Sequence, residues 1–265
     1  MEMNFSKQSF LRKLRSMLKV DFKRMFTMPL IYIMAGVCFL IPILILVMTS
    51  MMGGTTTDPT TGEEVVVETF TNVWQAIGSI SGGDVMAMDL TSMCNINMLY
   101  FLVPVLLCVF VGEDFRSGYA KNLFTIRSKK IDYVFSKSLV GFVGATIMFL
   151  MFFIGAMIGG AIAGLSFEMV GFGVEGIIAS MLSKIFVTLI FVAIALVLST
   201  VAKQKLWLSI ICSFAAGMLL YTMIPMITPL DSGFLNIIMC FVGGALFAVG
   251  LGAVSNLILN KTSLV

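Results

Sequence analysis

Few residues in this chain are equipped for chemistry. Its 265 residues include 17 Lys or Arg, 14 Asp or Glu and no His. Without an imidazole the usual neutral-pH base and metal ligand is missing. The five cysteines include no CxxC pair, which argues against a zinc clip or a redox couple. No G-x-x-x-x-G-K-[ST] loop is present to cradle a nucleotide phosphate. Apart from a basic stretch near the start of the chain, ionisable side chains gather in one run, Gly112-Glu113-Asp114-Phe115-Arg116-Ser117-Gly118-Tyr119-Ala120-Lys121-Asn122-Leu123-Phe124. Arg127, Lys129, Lys130, Tyr133 and Lys137 follow it. Two adjacent carboxylates followed by a series of cations suit charge-assisted contacts. They do not form an acid–base pair on a reacting atom. Outside this run, Lys184 stands alone in an apolar stretch.

The surrounding sequence explains why charge is so confined. Hydrophobic residues make up 59% of the chain and charged residues 12%. That leaves too little polar surface to cover a soluble domain of this size, so lipid is the expected solvent. Six apolar runs have about the length that crosses a hydrocarbon core. They are Leu30 to Met52, Cys94 to Val111, Ser138 to Ala163, Ile177 to Val201, Trp207 to Ile224 and Phe234 to Leu259. Pro29 suits the first turn of the first span. That run is long enough to span and ends without a small-residue cleavage pattern, so it is not expected to be a cleaved signal. None of the runs alternates as a barrel strand would. The predicted fold class is an all-α integral membrane protein.

The basic residues set the expected topology. All of them except Lys184 fall before the first span, between spans two and three, between spans four and five, or after span six. The positive-inside rule makes that side the cytoplasm and puts both termini there. The opposite loops carry Asp58, Glu63, Glu64, Glu68, Asp84, Asp89, Glu168, Glu175 and Asp231, without Lys or Arg. Lys184, near the outer end of span four, is expected to snorkel to the headgroups. Pairing with Glu175 or Glu168, or lining a route for an anionic group, are the other readings.

Segments outside the spans have their own signatures. Residues 1–28 hold an amphipathic stretch, with Phe10, Leu14, Leu18 and Phe22 on one helical face and Lys7, Arg12, Arg15, Lys19 and Lys23 available to anionic lipid. An interfacial helix over Ser6 to Arg24 is expected, and membrane asymmetry explains its charge without nucleic acid. The loop over about 53–93 begins as turn and coil. Glu64 to Phe70 is β-rich, and Thr71 to Ile80, with Trp74, suits a short helix at the outer interface. Asn95 and Asn97 are placed to cap span two or bond between helices. Pro225 to Asp231 suits a tight turn or a shallow re-entrant piece. Gly155 to Gly164 carries small-xxx-small spacings for close helix contact. Pro42 and Pro104 interrupt spans one and two. The 22 Met and 23 Phe offer a soft lining for amphiphilic cargo, with lipid-facing bulk as the plainer reading.

In the segment over about 112–137, Glu113 and Asp114 are expected in the first turn of a short helix, against the positive end of its dipole. Phe115, Tyr119 and Phe124 would supply its apolar side, while Lys121 and the later basic cluster of Arg127, Lys129 and Lys130 would face water or headgroups. A helix lying across the ends of two spans is a mechanical handle; an anchored loop is the plainer reading. The run from Gly112 to Leu123, with the basic cluster, Tyr133 and Lys137 behind it, resembles the coupling-helix region of ABC-2 type permeases, the transmembrane subunits of ATP-binding cassette exporters. The layout of the whole chain is similar too, in its amphipathic N-terminal helix, large loop after span one and coupling segment.

That resemblance implies six transmembrane helices and separate ATPase subunits as partners. ATP and Mg would sit on those subunits and no cofactor on this chain. A second permease, either a copy or a different chain, would complete the complex within membrane lipid. It implies a coupling role for Glu113, Asp114, Arg116, Gly118, Lys121 and Lys137. The expected function is export of an amphipathic or hydrophobic substrate, such as a membrane-active peptide. The alternatives are a secondary transporter and a non-transporting scaffold or sensor; an enzyme is disfavoured.

Overall fold

The structure is a computed structural model, which describes residues 10–52, 55–57, 64–66, 70–79, 94–126, 130–203, 205–221 and 223–261. Its helices are α1 (Phe10–Thr27), α2 (Pro29–Met52), α3 (Leu99–Arg116), α4 (Tyr119–Ile126), α5 (Ile131–Ala163), α6 (Val174–Ala202), α7 (Leu206–Tyr221), α8 (Ile224–Ile227) and α9 (Phe234–Lys261). The chain is a multi-span, all-α membrane bundle. Five of these helices (α2, α3, α5, α6 and α9) are long and apolar enough to cross a membrane. Among the described residues the one sheet is a hairpin of β1 (Thr55–Thr57) and β2 (Glu64–Val66), paired antiparallel with Thr56 opposite Val65. The hairpin agrees with the β-rich reading of Glu64 onward. Thr55–Thr57, expected as coil, forms the other strand, in keeping with the β propensity of threonine.

Three boundaries differ from the sequence reading in ways that matter. Span three begins at Ile131 and not at Ser138, so Asp132, Tyr133, Ser136 and Lys137 are helical. Span two runs on to Arg116, which puts Glu113 and Asp114 in its last turn and not in the first turn of the next helix. Hydropathy ends a span where charge begins, but a helix continues for as long as its polar groups find partners.

The third difference is α7. Its 16 residues cover roughly 24 Å at 1.5 Å per residue, short of a ~30 Å hydrocarbon core. The expected fifth span, Trp207 to Ile224, is therefore a shorter helix, after which the chain turns back through α8.

α3 is the axis of the bundle. Two-thirds of its span is buried (67%), against 28% for α2 and 11% for α9. It packs on α5, α6 and α7, while α2 lies along α5 and α9 along α6. Tyr100 of α3 meets the rings of Phe149 at 5.3 Å and Phe191 at 4.7 Å in the centre of the core. The small residues act where expected. A Cβ on Gly155 would strike the Phe39 carbonyl, and one on Gly159 would stand 2.8 Å from Ile43 Cα, so α2 and α5 approach backbone to backbone. The outward sides of α2 and α9 present Ile33, Leu40, Leu44, Leu246 and Val249 to the surroundings.

The two ends of the bundle differ in charge. At the basic end, α1 packs across α5. Leu14, Met17 and Met25 are buried there, and Arg15, Lys19 and Lys23 are exposed. The apolar stripe of α1 is thus spent on protein. Its helix begins at Phe10, and the expected start at Ser6 lies outside the described residues. At the acidic end a 3-10 turn, Val73–Ala76, is capped by Asn72. Trp74 donates its indole N–H to the Phe167 carbonyl at 3.1 Å. That turn falls within the helix expected over Thr71 to Ile80. The rest of the long loop, including Asp58, Glu63, Glu68, Asp84 and Asp89, lies outside the described residues.

Candidate functional site

The charge-rich run folds into two layers, one facing inward and one facing out. Asp114, in the last turn of α3, is fully buried. Its Oδ2 lies 2.7 Å from the Lys137 ammonium and its Oδ1 lies 2.6 Å from the Arg24 guanidinium. Lys137 is also fully buried, and its ammonium lies 3.0 Å from Asp21 Oδ1. Two carboxylates and two cations therefore alternate along a chain with no net charge. That balance is what permits Asp21, Lys137 and Asp114 to leave water together, with Arg24 half-buried at the edge of the cluster.

Neutral donors complete the cluster. Tyr133 donates its hydroxyl to Asp114 Oδ2 at 3.0 Å, and Ser136 donates to Asp21 Oδ2 at 2.5 Å. The Lys137 ammonium stands 3.7 Å over the Phe110 ring, and the Arg24 guanidinium 4.0 Å over the Tyr119 ring. Burial works against the Arg24 charge, but the Asp114 carboxylate outweighs it and the pKa is raised overall. The Tyr119 hydroxyl is also pushed up, by burial first and by the Asp21 charge next. The members come from α1, α3, α4 and α5, so one electrostatic knot ties these four elements together at the basic end. Lys137, named above among the coupling candidates, faces the knot, because two carboxylates lie inside to meet it.

The outer layer consists of the remaining coupling candidates. Glu113 is about half exposed, its carboxylate 4.0 Å from the guanidinium of Arg116, whose side chain is 60% exposed. Lys121 is exposed on α4. Gly118 turns the chain from α3 to α4 at φ +73°, in the left-handed region, and open space surrounds the place of a Cβ. Its conformation alone accounts for glycine there. Underneath, Ala120 is buried and Phe124 packs edge-on to Tyr133 at 5.2 Å. α4 is therefore a short helix with a fixed underside and a charged upper side.

Sequence reasoning missed Asp21, Arg24 and Ser136 as members of this site. The available signal was Met17-Asp21-Met25, a carboxylate at i+4 spacing in the middle of an apolar helix face. Such a residue has to find a partner inside.

A second polar site lies deeper. Lys184, the eleventh residue of α6, is fully buried and does not reach the headgroups or Glu175 and Glu168. Its ammonium donates to Thr228 Oγ1 at 2.6 Å, to the Thr228 carbonyl at 3.0 Å and to Asn97 Oδ1 at 3.2 Å. Burial holds because three oxygens have come to it. Thr228 follows α8, on the return from α7 to α9, and the Ser180 hydroxyl also donates to its carbonyl at 3.0 Å. The return over 225–231 therefore dips into the bundle, as the re-entrant reading expected. Asn95 caps the turn before α3 by accepting from the Asn97 N–H at 2.9 Å.

Among the described residues no group of three or more His, Cys, Asp or Glu is placed to hold a metal ion. Comparison with protein families, with curated proteins and with solved structures finds no match.

Proposed function

We propose that this chain is the transmembrane permease subunit of an ATP-binding cassette exporter, with its basic end in the cytoplasm and α4 as the surface met by a separate ATPase subunit. One observation carries the reading: α4 exposes Lys121, beside Glu113 and Arg116, while its underside is fixed to the buried Asp21–Lys137–Asp114–Arg24 cluster. A push on such a helix is not absorbed locally. It passes through Tyr119 and Tyr133 to α1, α3 and α5 together.

The proposed cargo is amphipathic or hydrophobic, with a membrane-active peptide as the leading candidate, because the bundle is rich in Met and Phe and poor in polar surface. A second permease, a copy or a different chain, would complete the complex. Affinity purification from native membranes in mild detergent should recover an ATPase with a phosphate-binding loop. Reconstitution of that complex should give ATP hydrolysis stimulated by amphipathic peptides. Recovery of the chain without any ATPase, together with transport driven by an ion gradient alone, would reject the reading. That outcome would favour a secondary transporter, the second reading, which the charge buried in mid-span at Lys184 supports.

A further inference from the structure

Lys184 brings its amine into the middle of a span, where no charged group among the described residues meets it. Among the described residues, the ion pairs within 4.0 Å join Arg24, Arg116 and Lys137 to carboxylates, and none involves Lys184. Its acceptors are a hydroxyl, a backbone carbonyl and an amide oxygen, all neutral. The cluster at the basic end shows how this same chain buries a lysine when balance is the aim, with a carboxylate on either side. At Lys184 the counter-charge is missing.

A second and independent observation lies beside it. The side-chain nitrogen of Asn97 is buried and has no hydrogen-bond partner, in a residue only 1% exposed. Rotating the amide does not repair this, because an ammonium only donates and so must face the oxygen. An uncompensated cation and an orphaned N–H2 donor thus stand side by side, and both call for an anionic acceptor. The oxygens that now occupy the ammonium belong chiefly to Thr228, on a return that is pinned to the bundle at a few points, among them Asn236, which donates its side-chain N–H to the Ile227 carbonyl at 2.8 Å. Leu230 donates its N–H to the Ser79 carbonyl at 2.8 Å, and Ser180 holds the Thr228 carbonyl.

We propose that Lys184 and Asn97 form a receiving site for an anionic oxygen group, a carboxylate or a phosphate, at the head of an amphipathic molecule, and that this group displaces Thr228 and frees the return over 224–231. Lys184 gives up two neutral acceptors for anionic oxygens, the Asn97 side-chain N–H2 gains its first acceptor, and the Ser180 hydroxyl exchanges the Thr228 carbonyl for water as Thr228 is released. The molecule is amphipathic because of where the site lies. Tyr100, whose hydroxyl donates to the Lys184 carbonyl, packs edge-on to Phe149 and tilted against Phe191. The open cleft next to the return is lined by Glu175 and Asp231, which repel a small free anion arriving from the acidic end. Only the naming of this molecule as exported cargo rests on the transport reading above.

Hydrogen–deuterium exchange of the purified full chain in dodecyl maltoside tests the site without any ATPase, so failure to find an ATPase leaves its outcome untouched. Dodecanoate and dodecyl phosphate should raise exchange at the Thr228 and Leu230 amides at least about tenfold, the loss of one charge-assisted hydrogen bond. Dodecanol, dodecyltrimethylammonium and sodium chloride should not. Lys184→Met should exchange quickly at rest and no longer respond. Asn97→Leu should keep the slow resting exchange but require about tenfold more dodecanoate, having lost one donor to a charged group. A response to dodecyl phosphate alone supports the site with a lipid-type headgroup as its ligand; a response to dodecanoate alone supports it with a peptide-type carboxylate. No response to either anion, an equal response to dodecanol, or an unshifted Asn97→Leu titration overturns the proposal. The Asn97→Leu titration decides the matter even if Lys184→Met does not fold.

Discussion

Asp21 on α1 and Lys137 on α5 are both wholly removed from water, and their charged atoms lie 3.0 Å apart. The pair joins the helix that precedes the first span to the third span, and Asp114 extends it to the second. Each ion is tolerated only because the others are there.

Breaking that balance should therefore cost more than removing it. Asp21→Asn leaves Lys137 and Arg24 facing a single carboxylate and should destabilise the protein by about 3–5 kcal/mol, the usual effect of orphaning a buried charge. Asp21→Asn combined with Lys137→Met should recover part of that loss, since one charge of each sign has gone. Thermal unfolding in detergent measures both. A double variant less stable than either single one would show that the cluster is not coupled in this way.

Close backbone contact between α2 and α5 gives a second expectation. Gly155→Ala pushes a methyl group into the Phe39 carbonyl and should cost about 1–3 kcal/mol, as overpacked cores do. Gly243→Ala on α9 meets nothing within 4 Å and should be neutral or stabilise by up to about 1 kcal/mol, the helix preference of alanine over glycine. Equal melting temperatures for the two variants would contradict the packing described.

How much of this was legible in the sequence depends on which residues are asked about. Composition and run length give the membrane bundle, because a helix must satisfy its own backbone in lipid. Pro29, Asn95 and the Gly155–Gly159 spacing announce a helix start, a cap and a helix contact through local stereochemistry alone. The cluster at the basic end was only half legible. Asp114 and Lys137 stand out as charges beside spans, but charge at the end of an apolar run reads equally well as exposed. Their inward turn depends on Asp21 and Arg24, brought from α1 by packing that local sequence does not encode. Lys184 was misread as snorkelling for the same reason, since Thr228 and Asn97 reach it from distant parts of the chain. α7 shows the limit of hydropathy, which joined it to α8 across a turn.

Topology offers a third test. Single cysteines at Lys121 and at Glu168, in a chain whose native cysteines are replaced, should react with an impermeant thiol reagent from opposite sides of sealed cells. Lys121 should react only after the membrane is opened and Glu168 in intact cells, because the basic end is expected inside. Reaction of both in intact cells would reverse or break the proposed arrangement.

The coupling assignment makes the last and most demanding prediction, because structural roles must be separated from docking at neighbouring positions. Glu113 has only a 4.0 Å contact with Arg116 and about half of its side chain in water. Glu113→Ala should therefore leave membrane level and melting temperature within about 0.5 kcal/mol of the parent. If its carboxylate meets a basic group of an ATPase, the loss should lower ATP-driven transport at least about tenfold, the worth of a charge-assisted contact. Gly118→Leu needs a different control, since φ +73° penalises any β-carbon by about 1–2 kcal/mol whatever docks there. Gly118→Asn tolerates that backbone and adds a side chain in the same open space, so it separates crowding of a partner from strain of the turn. Three quantities should be measured on each variant: membrane level, ATPase recovered with the chain, and transport per ATP hydrolysed. Normal level with lost transport in Glu113→Ala and Gly118→Asn supports α4 as the docking helix. Normal transport in both would return Glu113 to the surface and Gly118 to its turn, leaving the buried cluster to hold the bundle together without driving it.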